Sequence, residues 1–307
     1  MSADERTDLR IPRDGHTLAA WHYPAAPSEL CDGDGRAPAV ILGHGYSLTR
    51  DCGLDRYAEQ FSAAGIHALV IDYTGFGDSD GEPRDVVSVT SQLRDYECTI
   101  AAVRSIDGID PDRIALWGTS YSGGLVVAAA AADRRIAAVI AQVPNLDNLA
   151  TLRFLVAKNP ARHMSWLSAA VTRDVTRALT RRPPFYVRAM GPAGTRSAYV
   201  SDQSWEEVSA IAGPQWHNRV GLRDFASLPV FRAVSRLDRL PCRIQLFAAD
   251  HDDLTPVAPT LAAARRLGAR AELHRVAAGH FGIYADPHFG TVIEQQVRFL
   301  SSELSLG

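Results

Sequence analysis

Lysine is nearly missing from this chain: Lys158 is the only one among 32 basic residues, and the rest are arginine. Together with alanine-rich stretches, that bias reads as codon drift in a GC-rich bacterial genome rather than as function. Paired cysteine spacing is missing too. Cys31, Cys52, Cys98 and Cys242 are scattered with no CxxC motif, so neither a zinc-ligand set nor a disulfide framework is offered. No apolar run approaches the roughly 18 residues that suggest a membrane span. Met1 to Arg6 has neither a basic n-region nor an apolar h-region. These absences lead us to expect a protein of the reducing cytoplasm with no membrane partner and no metal.

What remains is an ordinary globular composition. With 307 residues, 46% hydrophobic, 22% charged and a net charge of −3, the chain can bury one large core or a core plus a subdomain. The charge is uneven. Residues 145–240 hold 13 Arg, one Lys and seven acids, a net +7 against −10 for the remainder. A solvated arginine-rich face explains this most simply; the sharper reading is attraction of an anionic substrate or an acidic acyl carrier protein. Nucleic acid is not expected, because the net charge is negative and no basic-aromatic recognition motif is present.

Short apolar runs alternate with helical stretches, the pattern of a mainly parallel sheet covered by helices on both faces. Strands are predicted near 8–12, 17–23, 38–43, 67–72, 112–118, 136–142, 242–248 and 271–276. Helices are predicted near 53–65, 87–106, 121–133, 256–268 and 290–304. Asp14-Gly15 between the first two runs predicts an antiparallel hairpin. From Asn145 to Leu240 the alternation stops, and the sequence turns helical and tryptophan-containing. Breakers at Arg181 to Pro184 and Gly191 to Gly194 divide it into two helical groups joined by an irregular segment.

Gly118-Thr119-Ser120-Tyr121-Ser122 follows the apolar run Ile114 to Trp117 and opens the apolar stretch from Leu125 to Ala132. A serine at such a strand-to-helix turn has the setting of a nucleophile elbow, where small neighbours relieve the crowding around a strained backbone. The usual pattern has glycine where Ser122 stands. Two later strands each end in a polar loop, Asp250-His251-Asp252-Asp253 and Gly279-His280-Phe281. His280 can take the Ser120 hydroxyl proton while a carboxylate orients the imidazole.

The order serine, acid, histidine, with Gly43-His44-Gly45-Tyr46 after one strand and Asp72-Tyr73-Thr74-Gly75-Phe76-Gly77 after the next, resembles the α/β-hydrolase superfamily over residues 11–144 and 240–305. Thr74 stands where that family usually has arginine. The resemblance implies an α/β-hydrolase fold with an eight-stranded sheet, a core of residues 1–144 and 241–307, and a helical cap of residues 145–240 over the active site. It implies Asp252 as the acid, four residues before Pro256, with Asp250 and Asp253 as alternates. It also implies an oxyanion hole from the backbone N–H groups of Tyr46 and Tyr121, to which the Tyr46 hydroxyl can add a third donor.

Trp166, Trp205 and Trp216 of the cap are candidates for the substrate wall. The implied function is hydrolysis of an ester, thioester or related acyl bond through a Ser120 acyl-enzyme, without a cofactor. Transfer of the acyl group to another acceptor, including release of a polyketide or peptide chain, is the first alternative. A peptidase and a non-catalytic ligand-binding member of the fold are the others. The expected partner is a small-molecule acyl substrate, with an acyl carrier protein as a further candidate.

Overall fold

A computed structural model describes residues 6–306 of the chain. It opens with β1 (Thr7–Arg13) and β2 (His16–Tyr23), the predicted hairpin. Asp14 and Gly15 have φ of 44° and 93°, the left-handed pair that a tight two-residue turn requires. Then come β3 (Ala37–Gly43), α1 (Asp55–Ala63), β4 (His67–Ile71), α2 (Val89–Val103), β5 (Ile109–Thr119), α3 (Tyr121–Ala132) and β6 (Ile136–Gln142). The insertion follows, with α4 (Asn148–Lys158), α5 (Ala161–Leu179), β7 (Tyr186–Gly191), β8 (Ser197–Val200), α6 (Asp202–Ile211) and β9 (Val220–Gly221). The chain closes with β10 (Arg243–Ala249), α7 (Ala258–Leu267), β11 (Ala271–Val276) and α8 (His288–Glu303).

Eight strands form one sheet in the order β1-β2-β4-β3-β5-β6-β10-β11. β2 runs antiparallel to both of its neighbours, and the other pairs are parallel. β3, the Ile114–Trp117 run of β5 and β6 as far as Ala141 are apolar because both faces are covered. Ala39 and Ile41 of β3 point into the layer shared with α2, α3 and α7, whereas Val40 and Leu42 point into the layer shared with α1 and α8. Among the described residues, no helix is long and apolar enough to cross a membrane.

Residues 145–240 depart from the helical expectation. Beside α4, α5 and α6 they contain a small three-stranded sheet in the order β8-β7-β9, parallel between β7 and β8 and antiparallel between β7 and β9. The segment read as an irregular connection is therefore its central strand. Prolines and glycines that bound β7 read as helix breakers, and the alternation of Val187 and Ala189 about Arg188 is too short to establish a period. Asp147 ties the insertion shut at its base. It accepts the N–H groups of Leu149 and Ala150 at the start of α4 and pairs with Arg232 at 2.7 Å.

Candidate active site

Ser120 sits between β5 and α3 with φ 54° and ψ −119°, a conformation that a non-glycine residue adopts only under constraint. Its N–H donates to Gln142 O at 2.8 Å, and its carbonyl accepts Asn145 N–H at 2.8 Å. A Cβ on Gly118 would collide with the Ser122 carbonyl, and one on Gly123 would lie 2.9 Å from Pro144 Cα. The small residues are therefore required by contact.

Ser122, where the usual pattern has glycine, is used as a hydrogen-bonding group. Its hydroxyl lies 2.6 Å from Tyr73 Oη and 2.7 Å from Tyr96 Oη, and the two phenols are 3.1 Å apart. Thr74, the other departure, anchors the buried Asp95. Its Oγ1 donates to Asp95 Oδ1 at 2.7 Å and its N–H to Oδ2 at 2.9 Å, while Arg13 pairs with the same carboxylate at 2.8 Å.

The loops after β10 and β11 bring the acid and the histidine to this serine. His280 Nε2 is 2.9 Å from Ser120 Oγ, and His280 Nδ1 is 2.7 Å from Asp252 Oδ2. Both ionisable side chains are almost wholly buried, at 1% and 2% exposure. Asp252 Oδ1 accepts the N–H groups of Leu254 and Thr255, and Oδ2 accepts the Thr255 hydroxyl at 2.7 Å. Burial alone would raise its pKa, but His280 and these donors hold the carboxyl below its ordinary value. For His280 burial acts downward, yet the Asp252 carboxylate outweighs it and raises the imidazole above its usual range.

The other two aspartates point elsewhere. Asp250 pairs with Arg275 at 2.8 Å, and Asp253 faces Lys158 and the hydroxyls of Ser201 and Ser204.

Tyr46 and Tyr121 both line the cavity above Ser120 and His280. Among the described residues, neither backbone N–H has a protein acceptor. For Tyr121 this follows from its place at the first position of α3, where N–H groups have no intrahelical partner. The loop bearing Gly45 and Tyr46 lies close to the elbow, since a Cβ on Gly45 would be 3.4 Å from Ser120 Cβ. Behind that loop, Arg50 bridges Asp72 at 2.6 Å and Asp78 at 2.7 Å. Burial pushes His44 down to about 4, so this imidazole is neutral at physiological pH.

The three candidate tryptophans separate. Trp216 lines the cavity, and its Nε1 donates to Ser47 O at 2.8 Å. Trp166 does not; it lies in a different groove, with Arg162, His163 and Arg196. Trp205 is half-buried against the core on the α1 and α8 face and is not part of the cavity wall. Both expectations are corrected by helix phase: each ring sits on a face turned to other packing. The wall instead includes Met190 from β7, Tyr199 from β8 and Val208 from α6. Tyr46 packs edge-on against Tyr121 and Tyr199, with ring centroids 6.0 and 5.2 Å away. Tyr199 and Met190 were missed because their strands were not expected.

Residues 36–287 match the family described as serine aminopeptidase, S33. The chain belongs to this family of α/β-hydrolases. It is 33% identical over 265 residues to the quorum-quenching protein AidA of Acinetobacter baumannii (strain MDR-ZJ06), covering 86% of each chain. It is 31% identical over 216 residues to polyketide transferase ATR5 of Stachybotrys chlorohalonatus (strain IBT 40285), covering 69% of this chain and 67% of that one. Further relatives are named thiohydrolase and acyltransferase. The crystal structure of α/β hydrolase GrgF from Penicillium sp. sh18 superposes with a TM-score of 0.80 at 25% identity, covering 98% of this chain and 99% of that one. The chain is thus an enzyme of the serine hydrolase class.

The hydrogen-bond geometry makes a prediction that is independent of turnover. Asp252→Asn removes the charge that raises His280 while burial persists, so His280 should titrate below the ordinary imidazole pKa of about 6.5. Histidine NMR titrations of the two proteins, with the signal assigned by His280→Ala, check this. A midpoint unchanged from the wild type would contradict the contact.

Proposed function

We infer that this protein cleaves an ester or thioester through a covalent acyl-enzyme on Ser120. The observation that carries the reading is the continuous chain from Ser120 Oγ through His280 to Asp252, facing a mostly apolar cavity. Ser120 Oγ would attack the acyl carbon as its proton passes to His280 Nε2, with Asp252 holding the Nδ1–H tautomer and the imidazolium. The oxyanion would meet the N–H groups of Tyr46 and Tyr121. Collapse breaks the bond to the alkoxide or thiolate, which leaves with the proton from His280. Water then attacks the acyl-enzyme, with His280 as base, to release the acid and restore Ser120. No step calls for a cofactor.

Intact-mass measurement after a fluorophosphonate probe tests the nucleophile without knowledge of the substrate. The wild type should gain one adduct, on Ser120. Ser120→Ala should gain none and lose on the order of 10⁴ to 10⁶ in rate while keeping its fold. Asp252→Asn should cost about 10⁴ in kcat, and Asp250→Asn far less. Labelling at another residue, or an active alanine variant, would refute the assignment.

Residues 145–240 supply part of the acyl-binding wall in this reading. Trp216→Ala should raise KM for a long-chain p-nitrophenyl ester by roughly tenfold, as for a large buried apolar contact worth more than 1 kcal/mol. Trp166→Ala and Trp205→Ala should leave that KM nearly unchanged. Chain length is the control, because p-nitrophenyl acetate fills little of the pocket. Equal effects of the three substitutions would refute this account of the wall.

A second reading, acyl transfer from a thioester on a phosphate-bearing carrier arm, is supported by relatives named polyketide transferase and thiohydrolase. It is also supported by the groove beside β8, where Arg162 and Arg196 have no carboxylate partner among the described residues. Val200 lines this groove and its neighbour Tyr199 lines the cavity. Arg181 and Arg182 lie beyond the opposite end of α5. Replacing Arg162 and Arg196 together by glutamine should therefore raise KM for a coenzyme A thioester, as should added salt. A neutral N-acetylcysteamine thioester of the same acyl group should be unaffected. Equal loss on both thioesters would remove support for carrier recognition.

A further inference from the structure

One face of α6 holds both loops that carry the acid and the histidine. Ser201, the N-cap of this helix, and Ser204 each donate a hydroxyl to the carboxylate of Asp253, the neighbour of Asp252. Lys158 at the end of α4 reaches the same residue, 2.7 Å from its carbonyl oxygen and 3.3 Å from its carboxylate. One turn further along α6, Glu207 Oε2 accepts the N–H of Phe281 at 2.9 Å. Phe281 directly follows His280. Space around Glu207 is tight: a Cβ on Gly279 would lie 2.5 Å from its Oε1, and one on Gly282 would lie 3.2 Å from the same atom. Residues 201, 204, 207 and 208 recur at the three- and four-residue spacing of a single helix face, and Val208 is fully buried in the cavity wall.

We propose that α6 is a clamp on the Asp252 and His280 loops, with Glu207 a positioning residue that fixes His280 through the Phe281 backbone. The proposal rests on the triad reading above. An imidazole that must keep bonds of 2.7 and 2.9 Å at its two nitrogens tolerates little displacement of its own backbone. Glu207 restrains that backbone one peptide unit away. Phe281 is a buried residue, so removing the acceptor leaves its N–H without the partner a buried donor requires.

The same carboxylate acts on the ring by charge. The groups facing His280 are Asp252 and Asp253 from the loop after β10, Glu207 from α6, and Lys158 from α4 through its pairing with Asp253. Asp250 on that loop is engaged by Arg275. Against the downward pull of burial, Asp252 supplies the main upward push, and Asp253 and Glu207 add to it.

The test compares Glu207→Ala, Glu207→Gln and Glu206→Gln. The last neutralises an exposed carboxylate on the same helix that makes no ion pair among the described residues. Kinetics on p-nitrophenyl acetate and an NMR titration of His280 are the readouts. Glu207→Ala should lower kcat roughly tenfold with KM within about twofold, as expected when the reacting groups are misplaced but the pocket is intact. Glu207→Gln keeps an acceptor and removes the charge. Its His280 should titrate lower, and since the neutral imidazole is the base, the acidic limb of kcat/KM should move to lower pH. Glu206→Gln should move neither.

Wild-type kcat and titration in Glu207→Ala would overturn the clamp, as would equal shifts in the two glutamine variants. Should Glu207→Ala fail to fold, Glu207→Gln decides alone, and an unmoved His280 midpoint overturns the proposal. That midpoint is read without turnover. Failure of the clamp is thereby distinct from failure of the triad reading, which would show as absent probe labelling of Ser120 in the wild type.

Discussion

The backbone of Ser120 is the constraint on which the surrounding structure depends. A non-glycine residue in a sparsely populated region costs about 1–3 kcal/mol and persists only where its neighbours over-determine it. Here the neighbours come from several elements at once. Gln142 at the end of β6 takes the Ser120 N–H, and Asn145 at the entrance to the insertion donates to its carbonyl. Gly118 and Gly123 clear the space that a side chain would need. One turn thereby registers β5, α3, β6 and the start of the insertion against each other. It also delivers a hydroxyl beside the N–H of Tyr121 and the positive end of the α3 dipole, which favours negative charge developing at that point.

The two departures from the usual family pattern, Ser122 and Thr74, both enter hydrogen-bond networks buried behind this turn. A bare glycine at position 122 would leave Tyr73 and Tyr96 with only each other; the serine closes a three-membered ring of hydroxyls. Gly43 must lack a side chain because that ring occupies the space, with Ser122 Oγ 2.6 Å from where its Cβ would be. Thr74 stands where the family usually has arginine; its Oγ1 donates to Asp95, and Arg13 from the neighbouring hairpin pairs with the same carboxylate. Buried polar networks stabilise only when every member finds a partner.

Most of the core was legible in the sequence because its strands are buried on both faces and its helices are amphipathic, so each announces itself by composition or period. Ser120, His280 and Asp252 were legible for another reason: each lies at the end of a recognisable strand, and the structure brings the three into hydrogen-bond contact. The insertion was legible as a break in the alternation and as helices, but not as a sheet. Its sheet is made of strands of six, four and two residues, and two residues of β9 carry no periodic signal at all. Helix phase was also invisible. Trp166, Trp205 and Trp216 are alike in sequence, but only the register of each segment against the core determines which ring meets the cavity. Glu207 gave no sign either, since its role depends on a backbone N–H from a loop 74 positions away.

The positive charge of the insertion also changes meaning once its partners are known. Arg219 pairs with Asp85 of the core at 2.6 Å and lies over the Tyr186 ring, while Arg223 and Arg232 pair with Asp174 and Asp147. These arginines fasten the insertion to the loop before α2 and to itself. Arginine suits that work because its planar guanidinium can pair with a carboxylate and stack on an aromatic ring at once, which an ammonium does less well. A near-complete absence of lysine is thus compatible with the fold even if codon bias produced it. The net +7 of the insertion is accordingly not a uniform field over the cavity: part of it is neutralised in attachment, and arginines such as Arg162 and Arg196, which have no carboxylate partner among the described residues, are left to act on solvent or on a ligand.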